Sequence, residues 1–141
     1  MKCHTGVIIT FNEGSGPIYV KSCKQSRIAH SSTEAELIAL DEAAMAILWC
    51  RNLLGELGFK PKDPSIVYQD NQSVIKMAEK GGGSFKRTKH IAKKYFYVHE
   101  LIDNKEVALM YLPTSVMVAD LLTKPLAGRA FKELSSVILN E

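Results

Sequence analysis

The sequence has few cysteines and no long apolar run, and both absences exclude classes of protein. Its three cysteines, Cys3, Cys23 and Cys50, are an odd number without a close-spaced pair, which argues against a disulfide framework and a structural zinc site. No apolar run approaches the roughly 20 residues of a membrane span, and the first six residues show no secretory pattern. We therefore expect a soluble, intracellular protein with reduced thiols, no export signal and no membrane partner.

A large excess of one charge is also missing. The chain carries 18 Lys and Arg against 15 Asp and Glu, a formal net charge of +3, so a polyanionic partner must be inferred from where the charges cluster. With 141 residues, 46% of them apolar, the chain is long enough to bury one core of its own. We predict a single domain over residues 1–141.

The most informative stretch is residues 31–40, which read SSTEAELIAL. A hydroxyl of Ser32 or Thr33 can cap the first N–H groups of a helix, and acidic residues follow in the first turn, where the helix dipole favours them. The pattern predicts a helix from about Thr33 to Leu57 that stops at Gly58. Its apolar stripe is predicted to be core, with Trp49 beside it, and consists of Leu37, Leu40, Ala44, Leu48 and Leu54.

The two glutamates at the start of this helix point in different directions. At about 100° per residue, Glu36 lies in line with Leu40 and Ile47, whereas Glu34 lies in line with Asp41 on a face that we expect to be wet. A carboxylate on an apolar stripe requires a cation, a metal ion or several hydrogen-bond donors. The alternative is a glutamate at the rim of the core with its head in water, and this helix alone leaves both open.

A second carboxylate, Asp70, ends a short predicted strand over residues 66–70. Asn71 and Gln72 follow it and lead into a short helix that ends near Lys80. An acid between a strand and a helix is often presented at the carboxyl edge of an α/β sheet. The alternative, that Asp70 only caps the following helix, is equally consistent with the pattern.

The remaining elements are read from shorter patterns. Residues 7–11 and 18–23 predict a β-hairpin whose apolar first strand is covered on both faces. Residues 107–112 predict another strand, and Thr114 or Ser115 can cap a short helix that carries Asp120 among apolar neighbours. A last helix is predicted over about residues 128–139, packing through Phe131, Leu134 and Ile138.

Five cations gather at the start of a further predicted helix, which follows a three-glycine hinge at residues 81–83 and buries Ile91, Tyr95, Val98 and Ile102. Cations at a helix N-terminus oppose the dipole, so a phosphate partner explains them better than helix stability does. A solvated basic face is the alternative. The five are Lys86, Arg87, Lys89, Lys93 and Lys94.

Four stretches in order along the chain carry a family resemblance. They are residues 31–36 (SSTEAE), 68–73 (YQDNQS), 87–91 (RTKHI) and 119–126 (ADLLTKPL). Together they resemble the ribonuclease H domain at the end of the Pol polyprotein of copia-type LTR retrotransposons. The resemblance covers nearly the whole chain and implies a location in a cytoplasmic particle or the nucleus.

The resemblance implies an α/β fold, a ribonuclease H-like five-stranded mixed sheet flanked by helices. It also implies a nuclease that cuts the RNA strand of RNA–DNA hybrids with two Mg²⁺ ions, or with Mn²⁺, beside the reverse transcriptase domain of the same polyprotein. Carried over by position, Glu36, Asp70 and Asp120 are the catalytic, metal-binding carboxylates. Carboxylate oxygens suit Mg²⁺, and two ions about 4 Å apart support an in-line phosphoryl displacement.

Further positions are expected to hold the nucleic acid. Side chains beside the acids are placed to hydrogen-bond the 2′-hydroxyl groups that distinguish RNA from DNA, and cations near the third helix are placed to bind phosphates. The first group is Ser32, Thr33, Asn71 and Gln72, and the second is Arg87, Lys89 and His90.

The chain departs from the family pattern at its start. Family members carry their first catalytic aspartate on a strand that would precede residues 2–6, so we expect that strand and that aspartate to be missing from this chain. Residues 112–118 also lack the mobile histidine of cellular relatives, and His90 is the candidate to replace it. Three interpretations follow: a ribonuclease H domain supplied as a fragment, a non-catalytic module that tethers nucleic acid, and a structural domain that pairs its open sheet edge with another chain.

Overall fold

The computed structural model describes residues 3–12, 14–26, 28–29, 31–81 and 89–140. These residues form two compact units, which we call the hairpin unit (residues 1–30 and 113–141) and the central unit (residues 31–112). Each unit is described by itself. The strands and helices are β1 (His4–Thr10), β2 (Pro17–Lys24), α1 (Ser32–Glu56), β3 (Ser65–Gln69), α2 (Gln72–Glu79), α3 (Lys89–Asp103), β4 (Val107–Tyr111) and α4 (Gly128–Leu139).

The mixed α/β class predicted from the sequence is confirmed. Within the described residues, however, the strands form two two-stranded sheets, with β1 antiparallel to β2 and β3 parallel to β4. No described strand pairs with the second edge of β1 or of β3, so the described strands do not make the five-stranded sheet that the resemblance implies. No helix among these residues is long and apolar enough to cross a membrane.

The hairpin unit contains the predicted β-hairpin. On β1, Thr5 and Val7 are buried, whereas Ile18 and Val20 of β2 are exposed. The first strand, which was predicted to be covered on both faces, has Thr5 and Val7 buried on one face and Ile8 half-buried on the other.

The segment after β4 differs from the predicted short helix. It forms two 3₁₀ turns, Thr114–Val116 and Val118–Leu122, separated by Met117 in an extended conformation. No side chain caps either turn, since the residue at the cap position is Pro113 for the first turn and Met117 for the second. Helix α4 has the predicted bounds, but Phe131 is exposed, and only Leu134 and Ile138 of the predicted packing residues are half-buried.

In the central unit, a single crossover containing α2 and α3 connects the parallel strands β3 and β4, as parallel pairing requires. Buried side chains from all three helices and from β4 make the core. They include Leu37, Leu40, Ala44, Ile47, Val74, Ala78, Tyr95, Val98, Leu101 and Val107.

Helix α1 begins one residue earlier than predicted and is capped by a different hydroxyl. Ser31, not Ser32 or Thr33, accepts a hydrogen bond from the backbone N–H of Glu34 at 3.1 Å. The helix ends before Gly58, whose φ of +87° suits glycine. Trp49 does not flank the core as predicted, because its side chain lies on the outward face and is 62% exposed.

The face of α1 that was expected to be wet is in fact the contact with α3. Asp41 is only 6% exposed and forms an ion pair with Lys94 of α3, 53 residues away. Lys94 therefore fits neither interpretation of the basic cluster, because its ammonium group is paired with Asp41 and is neither left for a phosphate nor part of a solvated face. Burial, followed by the negative charges of Asp41, Glu106 and Glu100, raises the pKa of the nearby Tyr97.

Arg51 fastens the carboxyl-terminal half of α1 to the beginnings of β3 and β4. Its guanidinium donates hydrogen bonds to the carbonyl of Asp63 at 2.9 Å and to Oγ of Ser65 at 3.1 Å. Its Nε lies 3.6 Å from a carboxylate oxygen of Glu106, and the side chain is 11% exposed. One side chain thus joins the helix to the amino-terminal end of the parallel sheet.

Replacing Arg51 by methionine is expected to destabilise the chain by about 2 kcal/mol or more, because hydrogen bonds to a charged donor are lost and carbonyl groups are left unpaired. The free energy of unfolding in urea measures this loss. Arg129→Met is the control, since Arg129 forms only an exposed pair with Glu133 within α4 and should leave the transition nearly unchanged. Equal, small effects in the two variants would contradict the role given to Arg51.

Tyr95 and Tyr97 make the free energy of unfolding depend on pH in the alkaline range. Burial raises the pKa of both Tyr95 and Tyr97, so the folded state keeps their protons where the unfolded chain, with a pKa of about 10, loses them. This stabilisation is complete below about pH 10 and declines as the pH rises towards the folded-state pKa values. The urea midpoint should fall less steeply above pH 10 in the double variant Tyr95→Phe/Tyr97→Phe, and an unchanged slope would contradict this assignment.

Candidate active site

The direction of α1 relative to the sheet of the central unit is set by two contacts. Arg51 lies at the amino-terminal ends of β3 and β4, whereas Asp41, ten residues earlier, contacts Lys94 in the first half of α3. Helix α3 returns to the start of β4 through a tight turn in which the N–H of Glu106 donates to the carbonyl of Leu101. Helices α1 and α3 are therefore parallel to each other and antiparallel to the strands, so both helices begin at the carboxyl edge of the sheet.

The rise per residue in helices and strands gives the position of each predicted acid along the direction of the strands, which we call its level. From Arg51 to Glu36 is 15 residues of helix, about 22 Å; from Ser65 to Asp70 is five residues of strand, about 17 Å. Both acids therefore lie towards the carboxyl edge, at levels that differ by about 5 Å along the sheet. This edge is where open α/β sheets usually bind ligands.

The structure removes one competing role for Glu36. Two overlapping capping patterns are present at the start of α1, Ser31 with Glu34 and Thr33 with Glu36, and the helix uses the first. Glu36 thus lies beyond the first turn and is half-buried. Ser32 is exposed and Thr33 is half-buried on the same end of the helix.

The structure also removes the alternative role for Asp70. The cap of α2 is Asn71, whose Oδ1 accepts hydrogen bonds from the N–H groups of Ser73 at 3.0 Å and Val74 at 3.3 Å. Asp70 precedes the cap and is half-buried, and Gln72 is the first, exposed residue of the helix. The hypothesis that Asp70 only caps α2 is wrong.

The basic start of α3 lies at the same edge. Lys89 is five residues before Lys94, as Glu36 is five residues before Asp41, so the parallel helices place Lys89 and Glu36 at similar levels. Lys89 and His90 are both exposed. Arg87 and Lys86, which were predicted to add to this basic cluster, lie outside the described residues.

Asp120 belongs to the hairpin unit. It lies in the Val118–Leu122 turn, and its Oδ2 accepts a hydrogen bond from Nζ of Lys124 at 2.8 Å. Its side chain is largely buried, while that of Lys124 is mostly exposed. The third predicted acid thus pairs with a cation four residues later in the chain.

The hairpin holds this turn in position. The Oγ of Ser22 donates to the carbonyl of Leu122 at 2.7 Å, and Gly6 of β1 lies directly beneath the turn. A Cβ on Gly6 would lie 2.8 Å from the carbonyl oxygen of Ala119 and 2.9 Å from Cβ of Leu122, which is closer than real contacts allow.

Gly6→Ala is therefore expected to push the turn away from β1 and to destabilise the chain by about 1–3 kcal/mol, as overpacking against backbone does. Urea unfolding measures the change. Gly16→Ala is the matched control, because a Cβ there meets no atom within 4 Å. The same midpoint for both variants would mean that the turn is not held against the hairpin.

The described residues contain no group of three or more His, Cys, Asp or Glu side chains arranged to hold a metal ion. The central unit therefore contains two of the three predicted metal-binding acids, Glu36 and Asp70. Asn71 and Lys89 lie at the same edge of the sheet.

Sequence reasoning missed Ser31, Asp41 and Arg51. Ser31 had a signal, since it stands three residues before Glu34 as a capping pattern requires. The partners of Asp41 and Arg51 are distant in sequence, and no local pattern identifies them.

Over most of its length the chain is homologous to retrotransposon Pol polyproteins. It is 35% identical over 131 residues, 93% of this chain, to the retrovirus-related Pol polyprotein from transposon TNT 1-94 of Nicotiana tabacum. It is 32% identical over 89% of its length to that from transposon RE1 of Arabidopsis thaliana, and 28% identical over 82% to the transposon Ty1-NL2 Gag-Pol polyprotein of Saccharomyces cerevisiae.

The matches cover only a small part of these relatives. The chain spans 10%, 8% and 7% of their respective lengths. No protein-family model matches the chain, and no solved structure matches it.

Proposed function

We propose that this homologue of retrotransposon Pol polyproteins is a ribonuclease H-type domain that cleaves the RNA strand of RNA–DNA hybrids beside its polyprotein's reverse transcriptase. The observation that carries the proposal is the carboxyl edge of the central unit, to which Glu36, Asp70, Asn71 and Lys89 all belong. The homology supports it, because an element that copies RNA into DNA produces such hybrids. The ribonuclease H-like sheet remains part of this proposal.

The donors at this edge fit Mg²⁺ by their chemistry. Mg²⁺ is held in most phosphate-processing sites by one or two carboxylates, with waters and substrate phosphate oxygens completing the octahedron. Glu36 and Asp70 supply two such carboxylates, and by resemblance Asp120 supplies a third. When bound, the metal ions polarise the scissile phosphate and lower the pKa of a bound water.

The other residues of the edge bind and orient the hybrid. Since Oδ1 of Asn71 already accepts two N–H groups, Asn71 contacts a 2′-hydroxyl through its Nδ2 group. Ser32, Thr33 and Gln72 provide further polar groups for the minor groove. Lys89 and His90 hold phosphates of the backbone, and they orient the strand without contributing sequence preference.

The test is cleavage of end-labelled RNA in an RNA–DNA hybrid, with RNA and DNA duplexes as controls. The 141-residue chain is assayed alone and extended by the residues that precede the matched segment in the tobacco relative. We expect Mg²⁺-dependent cleavage of the hybrid's RNA by the extended form. Salt-dependent binding without cleavage in both forms would favour a non-catalytic tether, and the absence of both would favour a structural domain.

A further inference from the structure

The last residue of β3 is a buried amide that directly precedes Asp70. Gln69 is only 6% exposed, although glutamine is mostly an exposed residue in folded proteins. Burying an amide is unfavourable unless its polar atoms are hydrogen-bonded, and an apolar side chain would fill an inward position of a strand without that penalty. A hydrogen-bonding role therefore explains this residue better than packing does.

The side chain of Gln69 reaches past Asp70 to the backbone. Its Oε1 accepts a hydrogen bond from the N–H of Asn71 at 3.1 Å. The backbone carbonyl of Gln69 accepts a second hydrogen bond from the N–H of Leu112, the residue after β4, also at 3.1 Å. Hydrogen bonds to Gln69 therefore hold the chain both immediately before and immediately after Asp70.

The hydrogen bond to Asn71 replaces one that many helices make within themselves. In a capping box, a Glu or Gln at the third helical position accepts the N–H of the cap residue. The third helical position of α2 is Val74, which is fully buried and has no acceptor in its side chain. Gln69 supplies the acceptor from the strand, so the bridge spans Asp70 instead of lying wholly within the helix.

We propose that Gln69 is a positioning residue that fixes the direction of the Asp70 carboxylate for Mg²⁺. This inference rests on the proposed function, in which Asp70 is a metal ligand. Because an aspartate side chain is short, the direction of its carboxylate follows the backbone at residue 70. Ligands must be held within about 0.5 Å of the binding geometry. Without the bridge, the peptide group between Asp70 and Asn71 is free to rotate, and Asp70 spends less time in that geometry.

Gln69→Met is the test, because methionine has a similar length but offers no comparable acceptor. In the extended form of the chain, the affinity for Mn²⁺, measured by electron paramagnetic resonance of the free ion, should fall about 10–100-fold. The Mg²⁺ concentration that gives half-maximal cleavage should rise correspondingly, while KM for the hybrid stays unchanged. Hydrogen exchange of the Asn71 amide, followed by NMR, should become at least about tenfold faster.

Val107→Ala is the matched control for a general loss of stability. Val107 is 2% exposed at the start of β4 and pairs with Ser65, at the far end of the sheet from Asp70. The cavity it leaves should lower the urea midpoint. At a temperature where both variants remain folded, Val107→Ala should bind Mn²⁺ as tightly as the wild type.

Several results would overturn the positioning role. They are an unchanged Mn²⁺ affinity or an unchanged exchange rate of the Asn71 amide in Gln69→Met, equal losses of Mn²⁺ affinity in Gln69→Met and Val107→Ala, and a wild-type chain that binds no Mn²⁺. Failure of the proposed function gives a different result. In that case Gln69→Met weakens Mn²⁺ binding as expected, but no form of the chain cuts the hybrid.

Discussion

Replacing Asp70 by asparagine is expected to lower the rate of hybrid cleavage at least about a thousandfold, since a metal-held phosphoryl transfer loses several kcal/mol when a carboxylate ligand is removed. The amide keeps the size of the side chain but loses the negative charge that attracts a hard cation. Glu36→Gln should have a comparable effect. The rate is measured under single-turnover conditions with the extended form of the chain.

Two controls separate a lost metal ligand from a lost fold. Glu34→Gln changes an acid in the first turn of α1 that is outside the predicted metal set. Asp63→Asn changes an exposed acid whose carbonyl contacts Arg51 at the other end of the sheet. Both should cleave at close to the wild-type rate.

Binding distinguishes the role of Asp70 further. Because Asp70→Asn removes a negative charge facing a polyanion, the variant should bind the hybrid as tightly as the wild type or more tightly. Weaker binding together with an unchanged urea midpoint would assign Asp70 to substrate contact. Undiminished cleavage would exclude it from the chemistry altogether.

Turn residues and hydrophobic patterns in the sequence predicted the ends of several helices and strands. Gly58 and Pro113 end α1 and β4 near the predicted positions, and α4 has the predicted bounds. The caps were less predictable, because neighbouring polar side chains compete for the same N–H groups. Ser31 takes the role predicted for Ser32 or Thr33, and Asn71 takes the role considered for Asp70.

Contacts between residues distant in sequence could not be predicted from hydrophobic periodicity. A helical wheel shows that Asp41 and Glu34 share a face, but it cannot show that α3 packs on part of that face. A cluster of cations likewise does not reveal which member is already neutralised. Lys94 looks like its neighbours in sequence, and only the parallel packing of α1 and α3 distinguishes it.

The second large effect is expected from Lys94→Met. The side chain of Asp41 is 9% exposed, so removing its cation leaves a buried, uncompensated carboxylate and should destabilise the chain by about 3–5 kcal/mol. Urea unfolding measures the loss. Asp41→Leu/Lys94→Met removes both charges and should recover most of it, since apolar residues of similar volume often replace a buried pair without loss.

The salt dependence of hybrid binding decides between the two roles that the sequence allowed for Lys94. A lysine that contacts a phosphate contributes about 0.9 to the slope of log K against log salt for a duplex. Lys89→Met should lower the slope by that amount with little effect on stability, because Lys89 is exposed at the start of α3. Lys94→Met should do the reverse, since the ammonium that fixes α1 against α3 is engaged by Asp41. A lowered slope with full stability in Lys94→Met would return Lys94 to the nucleic-acid surface and remove the contact that sets Glu36 and Lys89 at the same level.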